Sequence, residues 1–171
     1  LSISADGHYL TVVCNADAGD EGDQVYLFSK NSNTYLWSYD VDNDVHSVSI
    51  SADGEYIVAG SIDDKVYLWS KDSSTLLWNY NAEGPVNSVA ISADGEYIVA
   101  GTSDEKIFLF DKDSSTPLWN YTAGNTVWSV SVSEDGEYIA AGSANNKVFL
   151  FKKYNNTPLW SYTTTGEARL A

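Results

Sequence analysis

The side chains with the type and spacing for chemistry fall into two groups. The first is an acidic, glycine-bearing stretch, Asn15-Ala16-Asp17-Ala18-Gly19-Asp20-Glu21-Gly22-Asp23-Gln24. Asp17, Asp20, Glu21 and Asp23 offer hard oxygen donors of the kind Ca²⁺ takes, so a calcium loop is one expectation. Their spacing lacks the alternation of an EF-hand loop, and a solvated loop is the other. The second group is four different side chains at one recurring place, Val45-His46, Val86-Asn87, Val127-Trp128 and Ala168-Arg169, accompanied by a second varying place at Ile62, Ser103 and Ala144. Variation on a constant background suits a recognition surface, and tryptophan is a favoured interface anchor.

A catalytic set is harder to assemble. His46 and His8 stand at different places in the pattern, so no nucleophile and base come together around them. Cys14 is the one cysteine: it can form no intrachain disulfide, and its strand context predicts a small buried residue rather than a reactive thiolate. The carboxylate pairs Asp63-Asp64 and Asp104-Glu105 recur with the pattern and read as turn chemistry. The expectation is a non-enzymatic protein.

What must position these residues is a unit written four times. Leu36-Trp37-Ser38-Tyr39, Leu77-Trp78-Asn79-Tyr80, Leu118-Trp119-Asn120-Tyr121 and Leu159-Trp160-Ser161-Tyr162 follow one another at intervals of 41 residues, the mark of a repeat architecture. A second landmark, Asp-Gly-x-Tyr, begins at Asp6, Asp53, Asp94 and Asp135, and Asp-Gly between apolar runs signals a tight hairpin turn. In the third unit the spacing predicts strands over Val86 to Ser92, Tyr97 to Gly101, Ile107 to Phe110 and Pro117 to Tyr121. Pro117 and Pro158 open the fourth strands of their units, which makes that strand an outer edge. The first strand is then innermost, and sheets apolar on both faces must be sandwiched between like sheets. Four-stranded sheets repeated about an axis make an all-β propeller, here with four blades at 1–47, 48–88, 89–129 and 130–171. The first unit runs 21 positions from Gly7 to Phe28 where the second runs 15 from Gly54 to Trp69, which places the acidic stretch as an insertion between second and third strands.

The segment Val58-Ala59-Gly60-Ser61-Ile62-Asp63-Asp64-Lys65-Val66-Tyr67-Leu68-Trp69 is similar to the core of WD-repeat propellers, and Val66 to Trp69 with Thr75 to Tyr80 resembles the quinoprotein (PQQ-like) repeat, whose fourth strand carries Leu-Trp. The resemblance covers the whole chain. It implies that His46, Asn87, Trp128, Arg169, Ile62, Ser103 and Ala144 lie on one rim around the mouth of a central channel, where WD-repeat propellers bind peptides and proteins. The Gly-His pair of WD repeats is absent, Phe28, Phe110 and Phe151 stand where the second unit has Trp69, and the turn acids Asp63 and Asp104 give way to Asn145. The buried hydrogen-bond network of WD repeats is therefore missing, and packing must substitute. The quinoprotein likeness implies an alternative redox domain with a bound cofactor and Ca²⁺, but no basic residue occurs in the strands that would line the channel, and no cofactor is expected.

WD-like repeats usually close rings of seven or eight blades, so four blades read as half of an eight-blade ring completed by a second copy or by further chain, with a self-contained four-blade ring as the alternative. Unpaired end blades would expose large apolar faces. A second function therefore follows, that of an assembly unit whose blade faces join chains into a ring or array. The 24 acidic residues against 9 basic ones, a net charge of −15, argue against nucleic acid or an anionic membrane as partner and are compatible with a cationic one. No run of about 18 apolar residues exists to span a bilayer. The absence of Met, and a start at Leu1 inside a repeat, lead us to expect a piece of a longer chain. Glycosylation sequons begin at Asn120 and Asn155 and would matter only outside the cell. The expected partners are a protein or peptide and other copies of the chain.

Overall fold

In the computed structural model, which describes residues 1–14 and 22–168, each repeat folds into one antiparallel sheet. The first sheet holds β1 (Ser2–Ile3), β2 (Tyr9–Cys14), β3 (Gln24–Ser29) and β4 (Tyr35–Asp40); the second holds β5 (Val45–Ile50), β6 (Tyr56–Ser61), β7 (Lys65–Ser70) and β8 (Leu76–Asn81). The third comprises β9 (Val86–Ile91), β10 (Tyr97–Thr102), β11 (Lys106–Asp111) and β12 (Trp119–Thr122), and the fourth β13 (Val127–Val132), β14 (Tyr138–Ser143), β15 (Lys147–Lys152) and β16 (Asn155–Thr163). Strand order within every sheet follows the chain. The first strands β5, β9 and β13 lie side by side, so they are innermost and the tryptophan-bearing strands outermost. The fold is a four-bladed propeller architecture, all β.

Each Asp-Gly turn is fixed by the same side chains. The hydroxyls of Ser4, Ser51, Ser92 and Ser133 each donate to the carboxylate two residues on at 2.6 Å and accept the N–H of the following Tyr at 3.0 Å. Gly54 sits at φ 75°, left-handed backbone that a side chain would strain.

The core lies between sheets rather than within one. Val25, Leu27 and Trp37 of the first sheet meet Ile57, Ala59, Tyr67 and Trp69 of the second. The next two junctions repeat the arrangement, with Trp78 against the Phe108 and Phe110 side and Trp119 against the Phe149 and Phe151 side. The fourth-strand indoles stand 6.0 Å from Trp69, 5.4 Å from Phe110 and 5.4 Å from Phe151 between ring centroids. Their N–H groups donate to the backbone carbonyls of Lys71, Lys112 and Lys153 at 2.8, 2.7 and 2.8 Å. Phe110 and Phe151 thus fill the place of Trp69.

No core cluster among the described residues joins the fourth sheet to the first. One expectation is corrected: Cys14 is exposed, not buried. β1 pairs Ser2 with Thr11 and Ile3 with Leu10, and the residue matching Cys14 in the second sheet, Ser61, pairs with Val45.

A buried aromatic truncated to alanine costs about 3–5 kcal/mol. Trp37 is 8% exposed, so Trp37→Ala should lower stability by that amount, read as a reduced urea midpoint in unfolding followed by circular dichroism.

Candidate functional site

Antiparallel order places the start of each inner strand beside the end of the second strand: Val45 pairs with Ser61, Val86 with Thr102 and Val127 with Ser143. The turn beyond then hooks back. The N–H groups of Ile62, Ser103 and Ala144 donate to the carbonyls of Asp44, Pro85 and Thr126 at 2.9, 2.8 and 2.9 Å. His46 with Ile62, Asn87 with Ser103 and Trp128 with Ala144 therefore share one edge of the blade series, as the rim hypothesis requires.

A further feature aims these residues. After Val45 the next paired residue is Ser47, opposite Gly60, and after Val127 it is Ser129, opposite Gly142. In the third sheet Val86 pairs with Thr102 and Ser88 with Gly101. His46, Asn87 and Trp128 are thus each the extra residue of a β-bulge, a device that redirects a side chain without breaking the sheet. The bulges show in the packing: Val86 and Val89 enter one core cluster although three apart, as do Val127 and Val130, which straight alternation forbids.

The rim residues are not equivalent. His46 is exposed, while Trp128, Ile62 and Ala144 are half-buried. The Asn87 amide donates to the Val127 carbonyl at 3.0 Å and accepts the Ser103 hydroxyl at 3.2 Å, and the Thr126 hydroxyl donates to the Ser103 carbonyl at 3.3 Å. Asn87 and Ser103 therefore tie the third blade to the fourth. Sequence reasoning also missed the adjoining stitches, in which Ser47 and Ser88 hydroxyls accept the N–H groups of Val89 and Val130, each at 3.1 Å. Arg169 lies outside the described residues.

The same edge is acidic. Its turns carry Asp42, Asp44, Asp63, Asp64, Glu83, Asp104 and Glu105 against Lys65, Lys106 and Lys147. Lys65 is engaged by Asp63 at 3.1 Å and Asp42 at 3.6 Å, and the hydrogen bond to Asp63 leads in raising its pKa. Asp63 also accepts the Tyr67 hydroxyl. Burial first, then that bond, pushes the Tyr67 phenol well above its ordinary range.

Of the four acids proposed for calcium, only Asp23 is among the described residues; Asp17, Asp20 and Glu21 are not. Asp23 is 3% exposed and its carboxylate accepts the Val45 N–H at 2.8 Å, closing the junction between the first two blades. Among the described residues no three His, Cys, Asp or Glu side chains gather as a metal cluster. The inner strands β5, β9 and β13 contain no Lys or Arg, so their side chains do not fit the carboxylates of a pyrroloquinoline quinone.

The unequal roles have a measurable consequence. Asn87→Ala removes the bonds to the Val127 carbonyl and the Ser103 hydroxyl and should cost about 1–3 kcal/mol, whereas His46→Ala should fall within about 0.5 kcal/mol of the parent. Thermal unfolding of the two variants checks this.

A family model described as outer membrane protein assembly factor BamB matches the chain over residues 20–171. No curated protein matches it. The match takes in the second, third and fourth sheets with β3 and β4 of the first and agrees with the repeated Leu-Trp fourth strand, so the chain belongs to this family of PQQ-like propeller repeats described as outer membrane protein assembly factor BamB.

Proposed function

We propose that this chain is a non-catalytic propeller scaffold that binds cationic segments of proteins or peptides along the edge carrying His46, Ile62, Trp128 and Ala144. The observation that carries this reading is the run of three bulges, which brings the varying side chains of successive blades out on one edge. Two further facts support it. The edge bears seven turn carboxylates on Asp42, Asp44, Asp63, Asp64, Glu83, Asp104 and Glu105, with Lys65 already held by Asp63 and Asp42. The family's description concerns protein assembly, which favours a protein partner over a small molecule. Trp128 supplies the apolar anchor that an acidic rim lacks, and the carboxylates supply long-range attraction that steers a basic segment to it. Arg169 and the acids of the first-blade insertion belong to the same varying set by sequence.

A peptide library displayed on phage and panned against the protein tests the reading. Enriched peptides should be rich in Lys and Arg, and their affinity should fall about tenfold with Trp128→Ala and decline steadily as salt rises. Enrichment of uncharged or acidic peptides, with affinity unmoved by Trp128→Ala and His46→Ala, would overturn it.

A further inference from the structure

Between the second and third blades, and again between the third and fourth, an open cavity lies on the outer side of the Asp-Gly edge. The first has a volume of about 390 Å³ and is lined by Tyr56, Leu77, Trp78 and Lys112 with Ser70 and Asp113. The second, of about 300 Å³, is lined by Tyr97, Leu118, Trp119 and Lys153 with Asp111 and Tyr154. Each of these residues in the second cavity stands 41 positions after one in the first, so the two are one site written twice. Contacts between neighbouring blades fix its walls. The Asp-Gly turns are linked by a backbone relay, in which the N–H groups of Ala5, Ala52 and Ala93 donate to the carbonyls of Ala52, Ala93 and Glu134 at 2.9, 3.0 and 3.1 Å. A Cβ on Gly95 or Gly136 would stand 2.4 Å from the ring of Tyr56 or Tyr97, so each tyrosine rests on the turn of the next blade. Trp78 and Trp119 are half-buried, which leaves part of each indole facing its cavity, whereas Trp37 at the first junction is buried.

Each cavity joins an apolar patch to hydrogen-bonding groups of both senses. Leu77 and Leu118 are 50% and 52% exposed, and with the Tyr and Trp rings they make the apolar part. Ser70, Asp113 and also Glu55 bring oxygen acceptors to the first cavity, and Asp111 and Tyr154 bring them to the second. The lysines bring N–H donors, but their charge is already matched. Lys112 meets Asp113 at 3.0 Å and Glu96 at 3.3 Å; Lys153 meets Glu137 at 2.7 Å and stands over the rings of Tyr97 and Tyr154 at 4.6 and 5.0 Å. An anionic ligand would therefore meet carboxylates with no free cation to receive it, and a cationic one would meet the ammonium. A wholly apolar ligand would strip water from the charged groups without replacing its hydrogen bonds. A neutral ligand with an apolar C–H face and a fringe of hydroxyls satisfies both parts of the lining, because a hydroxyl donates to a carboxylate and accepts from an ammonium.

We propose that these two cavities are sugar-binding subsites, each taking one neutral hexose or N-acetylhexosamine unit of a glycan. The C–H face of the sugar ring packs on Leu77 and Trp78 in the first and on Leu118 and Trp119 in the second. Its hydroxyls accept from Lys112 and donate to Asp113 in the first, and accept from Lys153 and donate to Asp111 in the second. The polar fringe is where the copies differ, Ser70 and Asp113 against Asp111 and Tyr154, so the subsites share a ligand class and differ in affinity. The inference is independent of the acidic rim, which lies at the opposite edge of the blades.

An array of oligosaccharides of glucose, galactose, mannose and N-acetylglucosamine, with sialylated and sulfated counterparts, is probed with the protein, and the methyl glycoside of the best-retained neutral sugar is then titrated by calorimetry. Neutral sugars should be retained over acidic ones, with one methyl glycoside bound at each of the two cavities. Leu77→Asp and Leu118→Asp should each leave a single site, and the double variant none, with circular dichroism unchanged. Asp113→Ala, at an exposed turn position that keeps the fold whatever the leucine variants do, should weaken the first site about tenfold through loss of a charged acceptor and spare the second. Three results overturn the proposal: no neutral sugar binding with a Kd below about 10 mM, retention of acidic sugars alone, or binding unmoved by Leu77→Asp, Leu118→Asp and Asp113→Ala.

Discussion

A tryptophan indole held between two sheets is the contact on which the rest of this structure depends. A blade of about 41 residues cannot enclose a core of its own, so its apolar surface must be covered by a neighbour. Trp37, Trp78 and Trp119 do this in two ways at once: the ring packs on the aromatic third strand of the next blade, and the N–H satisfies a backbone carbonyl there. Burying such a ring removes roughly 150 to 250 Å² from water, worth on the order of 4 to 6 kcal/mol gross at about 25 cal/mol per Å². The hydrogen bond adds direction to a force that has none, because the indole N–H meets its carbonyl at only one register between blades.

That register divides the blade series into a constant edge and a varied one. At the Asp-Gly edge, serine, aspartate and tyrosine are locked together within each turn, and the backbone relay passes from Ala5 to Glu134. Substitution there breaks contacts in two blades. At the opposite edge the bulges turn His46, Asn87 and Trp128 out of the ladder, so a change of side chain leaves the strand pairing intact. The two edges of one repeat thus carry different constraints, and recognition is accommodated where the ladder is already interrupted.

Much of this was legible because the Trp and Asp-Gly landmarks recur at one interval, and periodicity reports packing. The order of strands, the outer place of Trp78 and the apolar faces of β6 and β7 followed from residue types alone. What escaped depended on residues distant in sequence. Asn87 looked like a free rim side chain, but its amide is spent on the carbonyl of Val127, 40 positions on. Asp23 was grouped with its acidic neighbours, and its bond from Val45 in the next sheet was not foreseen. Cys14 sits in a strand, as its neighbours suggested, and is exposed.

The contrast between Asn87 and Trp160 marks what a repeat can and cannot say of itself. Within a repeat family the internal copies act as controls for one another: the same indole–carbonyl contact at three junctions is a property of the junction and not of one blade's side chains. Trp160 has the same flanking residues as Trp37, Leu before and Ser-Tyr after, yet its surface is open. Asn87 has no such control, since His46 and Trp128 occupy its place in the adjoining blades, and only the contacts of the third blade reveal its role. Repetition therefore identifies the contacts that build a junction while leaving each varied rim residue to be read by itself.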